Sequence, residues 1–174
     1  MKGFFAAFAL GVVISIGSVA DALESRTVFT HKSWVVKVVA FDNAEVKCEA
    51  QVSNGNSSFS IWADGVNSVR LQFYDQDWDL GQSSADVITR IDRRPKWDLY
   101  NARLNQQSVL FDLPNDNDGN RFLGEVRRGR VIYLGNRNGK EVGRWSLSGS
   151  SAAVGALVDC VDLIKGGLDD NPFN

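Results

Sequence analysis

Cys48 and Cys160 are the only cysteines in the chain, and more than a hundred residues separate them. Whether they pair depends on the compartment, and the first residues bear on that. Met1-Lys2-Gly3 carries one positive charge, Phe4–Val19 carries none, and Ala20-Asp21-Ala22 has the small-x-small form of a cleavage site. A charged start, an apolar stretch and small residues in that order describe a secretory signal peptide over residues 1–22. The competing reading is a retained anchor, since the sixteen uncharged residues approach the roughly 17–25 that span a bilayer. Against it, Gly11, Ser15, Gly17 and Ser18 dilute the run, and no basic stop-transfer cluster follows. Two cysteines in a chain bound for an oxidising compartment are expected to pair. Closing so long a loop is worth about 4–5 kcal/mol as an upper figure. The alternative, free thiols or a redox site, finds no C-x-x-C spacing to support it.

Between the cysteines the chain reads as short strands. Trp34–Phe41 is rich in β-branched and aromatic residues, Asp42-Asn43 interrupts it, and Val46–Val52 alternates apolar with polar. This is a hairpin with Cys48 facing the core. Ser53-Asn54-Gly55-Asn56 is a turn. A second hairpin joins Phe59–Trp62 to Val69–Phe73 through Asp64-Gly65, and strands follow at Val87–Ile91, Trp97–Tyr100 and Ser108–Leu113. Pro114–Asn120 reads as a polar loop, and Phe122–Val126 fits a short helix or a strand. Arg130–Leu134 and Val142–Leu147 flank Asn138-Gly139, a strong hairpin signal. Only then does the period change. Ser148–Ser151 offers helix caps, and Ala153, Val154, Leu157, Val158, Val161 and Ile164 recur at helical spacing up to Gly166-Gly167, with Cys160 on the same face. The expectation is a mainly β fold, a β-sandwich or open barrel of about eight short antiparallel strands with one C-terminal helix and a single disulfide. It occupies residues 23–167 as one domain, with 168–174 a flexible tail.

Cleavage after Ala22 removes Lys2 and Asp21 together, leaving the formal net charge at −2. Bulk nucleic-acid binding needs a basic surface, so this balance argues against that class. With 44% hydrophobic residues, five Trp and ten Phe, the chain has the material for a core. After signal cleavage no integral membrane span remains.

Several motifs invite chemistry. Asp75, Asp77 and Asp79 alternate with Gln76 and Trp78, so in an extended stretch all three carboxylates face one side. Such a surface suits a cation or a basic partner, or blocks edge-to-edge aggregation. Tyr74 and Trp78 add aromatic area, making Tyr74, Asp75, Asp77, Trp78 and Asp79 the candidate binding surface. Asp116, Asp118, Gly119 and Glu125 match the third, fifth, sixth and twelfth places of a calcium-binding loop, but Pro114 stands in the first place and Arg121 in the eighth. A polar connecting loop is the plainer reading of that stretch. His31 is the only histidine, which excludes multi-histidine metal sites. No G-x-S-x-G elbow and no phosphate loop occurs. Arg90–Trp97 and Arg127–Arg130 are locally basic, either as an anion patch or as solvated turns. No cofactor is implied.

Trp34-Val35-Val36 with Phe41-Asp42-Asn43 and Cys48-Glu49-Ala50, and Trp145–Ala153 running to Leu157 and Cys160, resemble a group of exported bacterial proteins that includes the invasion-associated locus B family. The second stretch is similar to that group's terminal aromatic–x–Leu–x–Gly–small segment leading into an alanine-rich helix. The group's cysteine near Val38–Phe41 is missing here. The resemblance implies a periplasmic or secreted β-sandwich-like protein with a binding or host-associated role, and it carries over no catalytic residues.

Three function classes follow. The first is an exported non-enzymatic binding domain for an envelope or extracellular macromolecule, a protein or an envelope component. The second is a periplasmic inhibitor or immunity-type protein that plugs an enzyme cleft with Asp75–Asp79 or Asp116–Asp118. The third is a hydrolase using paired carboxylates such as Asp77 with Glu125.

Overall fold

Alternation builds the sheet. Cys48, Ala50 and Val52 in one strand, Phe59 and Ile61 in the next, and Leu71 and Phe73 in the third are fully buried on one face, as period-two patterning requires. The computed structural model describes residues 22–66 and 68–166. The signal-peptide reading up to residue 21 and the tail reading over 168–174 fall outside the described residues.

The elements are β1 (Ala22–His31), β2 (Trp34–Phe41), β3 (Val46–Asn54), β4 (Ser57–Ala63), β5 (Val69–Asp75), β6 (Gln82–Ile91), β7 (Trp97–Asn105), β8 (Ser108–Leu113), α1 (Asn117–Arg128), β9 (Val131–Asn136), β10 (Glu141–Ser146) and α2 (Ser150–Gly166). All strands join one antiparallel sheet in the order β1-β2-β3-β4-β5-β8-β7-β6-β9-β10. Successive hairpins connect β1 to β5. The meander β6–β7–β8 then lies beside β5 in reverse, so residues 76–81 make a Greek-key crossover. The sheet curls over its own core. Trp145 of β10 lies 5.5 Å, centroid to centroid, from Phe73 of β5, and its Nε1 donates to Ser57 Oγ at 3.1 Å. Asn54 Nδ2 donates to the Arg144 carbonyl at 3.3 Å nearby. The result is sandwich-like but built from a single open sheet.

The sheet has ten strands, not about eight. β1 is an edge strand whose residues 24–31 are exposed apart from Phe29, which packs against the core, so that stretch has no buried stripe to read. β6 also begins earlier than Val87, because Gln82–Ser84 are exposed yet paired with Arg103–Asn105.

The supposed polar loop before Phe122 is a correction as well. A helix, α1, starts at Asn117, inside that stretch. The Asp116 carboxylate accepts from the N–H groups of Asp118 and Gly119 at 2.8 and 3.1 Å, which is an N-cap. Gly119 lets the first turn sit against the Pro114 carbonyl, where a Cβ would collide. Phe122 and Val126 then reach the core.

α2 packs on β1, β2 and β3 and against α1. Its buried side holds Ala153, Val154, Leu157 and Cys160. Val158, read as part of that face, is 55% exposed instead. Cys160 is bonded to Cys48, with Cα atoms 6.1 Å apart, and the Ser150 hydroxyl donates to the Val126 carbonyl at 2.7 Å. Both helices therefore lie on the core side of the sheet.

Candidate functional site

The same alternation that sends Phe59, Ile61, Leu71 and Phe73 inward sends Glu49 and Gln51 of β3, Ser58, Ser60 and Trp62 of β4, and Gln72 and Tyr74 of β5 to the opposite face. Register sets them side by side, with Glu49 across from Trp62, Gln51 from Ser60, Ser60 from Gln72, and Ser58 from Tyr74.

These side chains are fixed by one another. The Trp62 indole Nε1 donates to Gln72 Oε1 at 2.7 Å, and Gln72 Nε2 donates to Ser108 Oγ at 2.8 Å. Ser60 Oγ donates to Glu49 Oε1 at 2.7 Å, and Gln51 Nε2 donates to the same oxygen at 3.3 Å. Gln51 Nε2 also reaches Ser58 Oγ at 3.4 Å. Lys37 Nζ donates to Gln51 Oε1 at 3.2 Å and lies 3.7 Å from Glu49 Oε2. Glu49 is only 5% exposed and Ser60 only 1%, although neither helix covers this face. Burial raises the Glu49 carboxyl above its ordinary value, against the opposing pull of Ser60 and Lys37.

The surface is indented on either side of Trp62. One groove, of about 490 Å³, runs between Glu49, Gln51, Ser58, Gln72, Tyr74 and the β3–β4 turn. The other, of about 430 Å³, is bounded by Phe41, Lys47, Arg70 and Leu110. Trp62 lines both and its ring is tilted against Phe41 at 6.3 Å.

The candidate surface read from sequence is only partly assembled. Tyr74 lies in the first groove. Asp75 ends β5, and the stretch after it is a turn, not an extended strand. The Asp75 carboxylate accepts from the Asp77 N–H at 3.0 Å, and the Asp75 carbonyl accepts from the Trp78 N–H at 3.1 Å. The three carboxylates therefore do not line up through strand alternation. Trp78 packs against the core, while Asp77 and Asp79 are exposed. The crossover is pinned to the β7–β8 turn by Leu80 N–H to the Gln106 carbonyl and Gln106 N–H to the Gly81 carbonyl, both at 2.8 Å.

Asp116, Asp118 and Glu125 are spent locally. Asp116 caps α1, Asp118 pairs with Arg121 at 3.3 Å, and Glu125 accepts from Trp97 Nε1 at 3.0 Å. A helix spreads Asp118 and Glu125 over about 10 Å of axis, where a calcium loop would gather them. Among the described residues, no group of three His, Cys, Asp or Glu could hold a metal ion. Asp77 sits by the β7–β8 turn and Glu125 by Trp97 at the other end of β7. About 25 Å of strand lies between those ends, far beyond the roughly 5–9.5 Å of a glycosidase pair. His31 is exposed at the end of β1. It lies with Lys32, Arg127, Arg128 and Arg130 around the start of α2, which brings one of the two basic stretches to a single place.

Trp62, Gln51 and Gln72 were not singled out from sequence. The available signal was a tryptophan in the polar register of a strand whose other register is Phe59 and Ile61.

Among the described residues, no helix is long and apolar enough to cross a membrane. No family model, curated protein or solved structure matches the chain.

Proposed function

We propose that this protein is an exported, non-enzymatic binding domain, periplasmic or secreted, that engages an envelope or extracellular macromolecule through the exposed face of β3, β4 and β5. One observation carries the reading. On a face covered by neither α1 nor α2, aromatic and amide side chains are held in one hydrogen-bonded arrangement around Trp62, with Glu49 and Ser60 almost wholly buried beneath them. Ordering long polar side chains costs conformational entropy, and pre-positioned groups of this kind lower the cost of binding. The signal-peptide pattern, the disulfide and the resemblance to exported bacterial proteins that include the invasion-associated locus B family support the compartment. A crosslinking pull-down from the native envelope tests the role. Wild type captures a stoichiometric partner, and Trp62→Ala loses it while keeping its fold. Equal capture by both would reject the assigned face.

The inhibitor or immunity-type reading has one observation in its favour: Asp77 and Asp79 are exposed on a crossover pinned at Leu80 and Gly81. Inhibition of a cell-wall hydrolase that disappears in the Asp77→Ala/Asp79→Ala variant would establish it.

A further inference from the structure

The groove beside Trp62 combines three properties that narrow its occupant. First, it is electrically self-contained. Among the described residues, Glu49 is the single charged side chain lining it, and Lys37 already pairs with that carboxylate, so an ionic ligand would have to displace that pairing. Second, the Trp62 N–H is committed to Gln72 at 2.7 Å. What the indole offers a ligand is therefore ring surface in a fixed orientation. Third, polar capacity around the ring is unspent. Among the described residues, Gln72 uses one of its two N–H bonds and one lone pair of its oxygen, the Ser58 hydroxyl accepts from Gln51, and Tyr74 brings a further hydroxyl to the groove, so each has capacity for a ligand.

A ligand matching this surface is uncharged, has an apolar face to lie on an indole, and carries hydroxyls around its rim that both donate and accept. Pyranose rings have that distribution, with axial C–H groups on one face and equatorial hydroxyls at the edge. From this match we infer that the groove between Trp62, Gln72, Tyr74, Ser58 and Gln51 is a binding site for a neutral oligosaccharide. Trp62 is the stacking platform, and Gln72 and Ser58 are the hydroxyl partners. Glu49 holds Gln51 and Ser60 in place from beneath. A volume of about 490 Å³ falls within the roughly 300–1,000 Å³ of small-ligand sites, room for a short oligosaccharide segment. The inference rests on the binding-domain reading and adds the ligand's chemistry to it.

The test is an array of neutral and anionic oligosaccharides probed with the full mature chain, followed by calorimetry on the strongest neutral ligand. Binding to a neutral glycan is expected. Trp62→Ala should weaken it tenfold or more, Trp62→Phe should retain most of it, and Gln72→Ala should lie between. Circular dichroism and thermal melts establish that each variant is folded. Should Trp62→Ala fail to fold, Tyr74→Ala and Ser58→Ala on the groove rim take its place, each with an expected loss of at least threefold. Binding to anionic glycans alone, binding indifferent to all these variants, or no glycan binding overturns the inference. The envelope pull-down separates this failure from that of the wider reading. A protein captured by wild type and lost with Trp62→Ala would leave the binding domain standing without the glycan, whereas no partner of any kind would remove both.

Discussion

Removing the Cys48–Cys160 bond should cost this domain a large part of its stability, and the amount can be worked from the fold. The bond joins residues 112 apart in sequence, and the chain-entropy expression gives about 4.8 kcal/mol for a loop of that length. Both sulfurs are buried, so Cys48→Ala/Cys160→Ala adds a smaller loss from packing. The bond also matters locally, because it fastens α2 to β3 while the rest of the helix relies on Ala153, Val154 and Leu157. Urea denaturation followed by tryptophan fluorescence is the assay. With a slope of about 2 kcal/mol per molar, the midpoint of the double variant should fall by about 2.5 M. Its slope should also rise, because an unlinked unfolded chain exposes more surface. Wild type under reducing conditions should shift in the same direction. A loss of less than about 1 kcal/mol with an unchanged slope would refute the idea that the cross-link restricts the unfolded chain.

Glu49 gives a pH test whose sign is fixed by its raised carboxyl. Its stability contribution is fully present below the unfolded value of 4.5 and is lost as pH rises through the folded value, so Glu49→Gln should gain stability relative to wild type between pH 4 and pH 7 in denaturant titrations; a relative loss would contradict the assignment. Asp116→Ala should cost about 1 kcal/mol as a lost N-cap, with Asp116→Asn largely spared; equal losses in thermal melts would count against capping. Gly119→Ala places a methyl group against the Pro114 carbonyl and should destabilise by about 1–3 kcal/mol, whereas a neutral result would mean that the turn before α1 yields.

The core of the sheet is legible because it obeys local rules. β2 to β5 show β-branched and aromatic residues at period two, and the β9–β10 turn has its Asn138-Gly139 signature. Cys48 and Cys160 are bonded, and two cysteines allow only one pairing within the chain. β1 was not legible, since over residues 24–31 Phe29 alone is less than exposed and such an edge strand has no pattern distinct from a polar loop. α1 was hidden for a different reason: the cap that starts it is made by Asp116, and its first turn is composed of residues that also favour turns. The acidic stretch misled because alternation was read onto a crossover, where Asp75 instead folds the chain back on itself. The groove around Trp62 depends on the pairing of β3, β4, β5 and β8. Ser108 reaches Gln72 only because the meander is inserted in reverse, and nothing within either segment announces that neighbour.

Photo-crosslinking from the face of β3, β4 and β5 shows whether a partner docks there. A photoreactive residue at Tyr74, beside Trp62, is compared in the native envelope with one at Val158, which is exposed on α2 on the other side of the sheet. A discrete adduct is expected from position 74 that is competed away by unlabelled protein, and none from position 158. Adducts from position 158 alone would contradict this and move the binding surface to the helical side.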